Sequence, residues 1–130
     1  MTVELKYLTW AAVLTGLVWV PYILNLIMVR GVMDAVGYPD NPKPLAPWAA
    51  RMKAAHYNAI ENLAVFAALV LVAHAINLHN EATVLACTAY FWARVVHLAA
   101  YTFRIAFVRT LAFTAGFICQ MTLAWQILAK

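Results

Sequence analysis

Four apolar stretches dominate the chain, and the few polar residues within them fall mid-stretch rather than at the ends. The stretches run roughly over 5–29, 48–77, 82–103 and 108–129, each near the ~20 residues needed to cross a hydrocarbon core. Glu61 and Arg94 are the sharpest anomalies, each about ten residues from the nearest end of its stretch. A charge at that depth costs at least ~2.5–3.5 kcal/mol, so an unpaired one is rare. Asn58, His97 and Tyr101 lie close by in sequence. The expected fold class is therefore all-α: an integral membrane four-helix bundle in one domain over residues 1–130, with a polar layer in its interior.

Composition supports that reading. Hydrophobic residues make up 66% of the chain and charged ones 11%, which excludes an ordinary soluble domain and any disordered class. The first stretch is too long and too uniform for the core of a signal peptide, so it is expected to be a retained helix. Arg30, Lys43, Arg51, Lys53, Arg104 and Arg109 fall on one side of the four spans, Lys6 and Lys130 on the other. The positive-inside rule then puts the first and third loops in the cytoplasm and both termini outside. A net charge of +4 concentrated at helix ends fits anionic lipid, and no nucleic-acid partner is expected. Cys87 and Cys119 sit inside apolar stretches without metal or disulfide spacing and read as packing residues.

Pro21 is expected to kink the first helix, with Asn25 one turn beyond facing the freed carbonyl or a neighbouring helix. The segment after Arg30 holds four of the five prolines and is expected to be extended, lying across the cytoplasmic end. Spans two and three form a hairpin around residues 78–81. Counting from that turn at ~1.5 Å per residue, Asn58 lies level with Tyr101, Glu61 with His97, and Arg94 one turn deeper. On span three, Arg94, His97 and Tyr101 share one face; on span two, Asn58 and Glu61 do. The spacing predicts a buried Glu61–Arg94 ion pair, either as part of a binding site or as glue that sets helix register.

Arg109 and Thr110 open span four, where a helix N-terminus and an arginine suit an anion such as a thiolate. Lipid headgroups are the plainer partner for that arginine. Arg30, at the end of span one, has a weaker claim to the same role. His56, His74 and His97 have no histidine opposite them, so no haem is expected, and no zinc spacing is present. The chain has no serine and no glycine-rich phosphate loop, which removes serine-nucleophile schemes.

The runs RMKAAHYNAIENL, ARVVHLAAYTFR and VRTLAF together resemble the MAPEG family of membrane proteins in eicosanoid and glutathione metabolism. The resemblance covers spans two to four well and span one in outline. It implies four-helix subunits assembled as a homotrimer, with glutathione as co-substrate bound between neighbouring subunits near the cytoplasmic side. It further implies that Asn58, Glu61, His97 and Tyr101 line the glutathione pocket, with Arg30 as a contact from span one. Arg109 would then activate the thiol, assisted by Thr110. The chain departs from the family pattern at Ala54 and Tyr57, where a member carries basic residues, and at Phe113, where it carries a tyrosine. The implied function is that of a glutathione-dependent transferase or peroxidase acting on a lipophilic electrophile. The alternative is a non-catalytic membrane binding or scaffold protein that keeps the same fold.

Overall fold

The computed structural model describes residues 1–130 and contains helices only. They are α1 (Val3–Leu17), α2 (Trp19–Arg30), α3 (Val32–Val36), α4 (Pro47–Ala75), α5 (Glu81–Thr102) and α6 (Ala106–Leu128). Because α1 and α2 run end to end, four helical rods result, each long and apolar enough to cross a membrane. Only 24 of 130 residues are buried, while Trp10, Met28, Leu85, Trp92 and Trp125 lie exposed. A water-facing surface of that kind would aggregate; against lipid or further subunits it is the expected exterior.

Pro21 accounts for the break between α1 and α2. It has no N–H to offer Leu17, the residue four positions earlier, and its ring crowds that carbonyl. The first helix ends at that residue, and Val18 carries the junction. Of its two expected partners, Asn25 takes the neighbouring helix, at the start of α4. Its Oδ1 accepts from the backbone N–H of Ala46 at 3.0 Å, so it fixes the residue that caps α4. Pro47 follows as the first helical residue, where a missing N–H costs nothing. The segment between α2 and α4 is not wholly extended, since α3 forms a short helical turn within it.

The α5 rod packs against α1, α4 and α6 and supplies more of the buried residues than any other helix. Phe66 of α4 stacks on Tyr90 of α5 with centroids 3.8 Å apart, and Val70, Cys87, Cys119 and Leu123 close around the pair. That stacking gives the hairpin register. The turn occupies residues 76–80, since α4 stops at Ala75 and α5 starts at Glu81. Level pairs accordingly shift by about three residues from those counted on a shorter turn, which brings Phe66 opposite Tyr90.

The two ends of α5 are closed differently. At its start Asn80 and Thr83 form a capping box, and the Thr83 hydroxyl donates to buried Glu4 of α1 at 2.6 Å. His79 Nδ1 also meets Glu4, at 2.8 Å, which ties α1 to the α4–α5 turn. At its end the chain closes a left-handed turn: Ile105 N–H bonds Ala100 O at 2.8 Å, with Arg104 at φ 61°. The end of α4 closes in the same way, with Asn77 at φ 56°. Asparagine tolerates that conformation, whereas for arginine it costs about 1 kcal/mol relative to glycine.

Candidate functional site

Arg94 is 6% exposed and His97 2% exposed, both on the inner face of α5. The Arg94 stem runs past Gly116 of α6, and its Nη2 donates to Asn58 Oδ1 of α4 at 2.7 Å. The Glu61–Arg94 ion pair does not form. Glu61 lies on the exposed face of α4, and the molecule's only ion pair joins His79 to Glu4. The reason is helix rotation. Asn58 and Glu61 are about 60° apart around the axis at 3.6 residues per turn, and α4 turns Asn58 inward. Glu61 and His97 therefore do not share a cavity within one chain.

The polar layer extends to residues that sequence reasoning passed over. Asn62 Nδ2 donates to the Asn58 carbonyl at 2.9 Å and to its Oδ1 at 3.2 Å. Gln120 Nε2 of α6 donates to the Asn62 carbonyl at 3.2 Å. The signal for both was present, as amides in mid-span; being uncharged, they carry a smaller penalty and drew less notice. Arg94 Nε and His97 Nδ1 remain buried without partners. Both residues line an internal space with Thr15, Ala59, Leu63 and Tyr90, and only ≈ 10 Å³ of it admits the centre of a water. That is room for about one water, against the ~300–1,000 Å³ of pockets that hold small ligands. No tripeptide fits in that space, so this layer supports a site rather than containing it.

The remaining candidates face outward at the end of the bundle formed by the α2–α4 and α5–α6 connections. The Arg109 guanidinium lies over the Tyr101 ring, 4.8 Å from its centroid, and Tyr101 stands 5.7 Å edge-on to His97. These two therefore join the buried layer to the surface. Arg109 and Thr110 are not at the helix terminus as expected. The helix starts at Ala106, so the Arg109 N–H is already bonded to Ile105 O at 3.0 Å. The Thr110 hydroxyl donates to Ala106 O at 3.2 Å, which leaves it no proton for a ligand in this rotamer. Arg30 occupies a separate cleft with Tyr22, Lys53 and Tyr57, and its Nε donates to Lys43 O at 2.7 Å. Lys53 sits 5.8 Å from the Tyr57 ring centroid, a cation–π contact.

His56 is fully committed to structure. Nε2 faces Thr15 O at 2.8 Å and must carry the proton, so Nδ1 accepts from the Tyr22 hydroxyl at 2.8 Å. No three His, Cys, Asp or Glu side chains cluster as a metal site would require.

The arrangement is thus a bundle whose buried arginine and histidine stand behind a surface tyrosine–arginine pair. The MAPEG family model matches residues 7–129. The chain belongs to the MAPEG family. No curated protein and no solved structure matches it. Members of that family are glutathione-dependent membrane transferases or peroxidases, or related proteins. In MAPEG terms the match spans all four rods, including the α1–α2 rod that the sequence motifs covered only in outline.

Proposed function

We propose that the protein is a glutathione-dependent membrane transferase or peroxidase acting on a lipophilic electrophile, and that it works as a homotrimer. The observation that carries this reading is the outward Tyr101–Arg109 pair braced by buried His97, which shares an internal space with Arg94. The internal space beside Arg94 and His97 lacks room for glutathione. The tripeptide accordingly lies between subunits, where the exposed α4 face with Glu61 becomes a wall.

In this reading Arg109 holds the glutathione sulfur as thiolate, the nucleophilic form, and the thiol proton leaves to water. A guanidinium is always charged, and a thiolate pKa lowered by two units corresponds to ~2.7 kcal/mol of stabilisation. Arg30 and Lys53 take the glutathione carboxylates, a role open to them because Tyr57 and Ala54 carry no charge. Glu61 accepts from the glutathione ammonium, while Asn58, His97 and Tyr101 keep the wall rigid and in register. In transfer, sulfur bonds to the electrophilic carbon and the leaving group departs with its electron pair. With a hydroperoxide, sulfur takes the terminal OH and releases an alkoxide, which is protonated to the alcohol. A second glutathione then yields glutathione disulfide and water. The lipophilic substrate arrives through the bilayer, whereas glutathione enters from the cytoplasm, with the first and third loops on that side and both termini outside.

Turnover of a hydrophobic aryl halide and of a lipid hydroperoxide by detergent-purified protein tests this reading. Glutathione-dependent product that disappears in Arg109→Ala, with the trimer intact, supports it. No product with either substrate class rejects it. That result would favour the second reading, a binding or scaffold protein, which draws on the uncharged Ala54 and Tyr57.

A further inference from the structure

The α5–α6 turn brings together three arginines that thiol chemistry does not require together. Arg51, Arg104 and Arg109 line one notch with Tyr101, Ile105 and Ala106, and ≈ 50 Å³ of it admits the centre of a water. That is several times the ~10–15 Å³ needed for one water. None of the chain's five acidic residues lines the notch, and the only ion pair lies at the other end of α5. Three cations around one opening repel each other unless an anion joins them.

Two of the arginines have their side chains held, and the third is fixed through its backbone. Arg51 Nε donates to Thr102 O at 2.9 Å, leaving its two Nη groups for another acceptor. Arg109 is held over Tyr101. Arg104 occupies the left-handed position that closes α5, at φ 61°, where glycine would be unstrained and where the equivalent turn after α4 uses Asn77. A cation for the carbonyl end of α5 is already supplied by Arg51, so the helix dipole does not explain Arg104.

The geometry points to a phosphate-binding site in this notch, which takes the headgroup phosphate of an anionic phospholipid. Three arginines lining one opening suit a group with several acceptor oxygens and more than one negative charge. The lipid source follows from the surroundings. Phe103 and Phe107 flank the turn, 71% and 75% exposed, beside Ile105, and the notch sits at the end of the spans where headgroups lie. This inference does not rest on the glutathione reading, and because the two share Arg109, lipid phosphate and thiolate exclude each other at that guanidinium.

The test titrates short-chain phosphatidic acid, below its micelle concentration, into protein in a neutral detergent, and reads occupancy by native mass spectrometry. The expected result is saturable binding at one lipid per chain. Arg104→Gly weakens it at least tenfold while the melting temperature holds or rises, because the left-handed turn loses its strain. Lys43→Gln, at the same end of the bundle but outside the notch, leaves binding unchanged. Inorganic phosphate competes at least tenfold more weakly than the lipid. Binding that does not saturate, that survives Arg104→Gly, or that falls equally with Lys43→Gln would overturn the site. Inorganic phosphate binding as tightly as the lipid would overturn the lipid assignment.

Discussion

Asn58→Ala tests the buried polar layer most sharply, because it removes one acceptor and leaves a cation behind. In the native bundle Asn58 Oδ1 is the only hydrogen-bond acceptor for the Arg94 guanidinium, at 2.7 Å. Asn62 loses its 3.2 Å contact with that oxygen but keeps the 2.9 Å bond to the Asn58 carbonyl. The loss is therefore essentially one charge-assisted bond, worth ~1.5–3 kcal/mol, or roughly 10–150-fold in the folding equilibrium. The space beside Arg94 already admits about one water, and a second water entering the vacated volume pulls the value toward the lower limit. Unfolding in mixed micelles, followed by tryptophan fluorescence, measures the change. A double-mutant cycle with Arg94→Leu isolates the pair, since deleting the cation removes the reason that Asn58 matters. A coupling of at least ~1 kcal/mol is expected, above the ~0.6 kcal/mol average for hydrogen bonds in membranes. Asn58→Ala within ~0.3 kcal/mol of wild type, or additive behaviour in the cycle, would refute the reasoning.

Three further outcomes follow from the packing. Tyr22→Phe strips the donor from His56 Nδ1 and should cost ~1–3 kcal/mol in the same unfolding assay; His56→Ala, which also frees Thr15 O, should cost more. Glu4→Leu leaves the Thr83 hydroxyl and His79 without their shared acceptor, so amide exchange in the first turns of α1 and α5 should accelerate before it does elsewhere. Phe66→Ala opens a cavity against Tyr90 in a fully buried position and should destabilise by ~3–5 kcal/mol, whereas Trp125→Ala, on the exposed face of α6, should change stability by less than ~1 kcal/mol.

The four rods were legible because a bilayer imposes length and apolarity on any segment that crosses it. The break at Leu17 was legible from Pro21, since a proline acts on the carbonyl four residues earlier. The site was less so. Asn58 and Glu61 are about 60° apart on one helix, and no property of the pattern says which of them packing will turn inward. The depth count inherited an error from the turn, which is longer than assumed and closes through left-handed Asn77. Arg109 looked like a helix-terminal residue because the start of α6 has no Ser, Thr, Asp or Asn cap to mark it. The grouping of Arg51 with Arg104 and Arg109 joins the start of α4 to the α5–α6 turn, a contact set by tertiary packing alone.

The most direct measurement of the central claim is the ultraviolet difference spectrum of the detergent-purified protein titrated with glutathione near neutral pH. The account expects a thiolate band that saturates with glutathione, disappears in Arg109→Ala and persists in Thr110→Val, whose native hydroxyl is spent on Ala106 O. A flat spectrum with no heat of binding, or a band undiminished by Arg109→Ala, would contradict it.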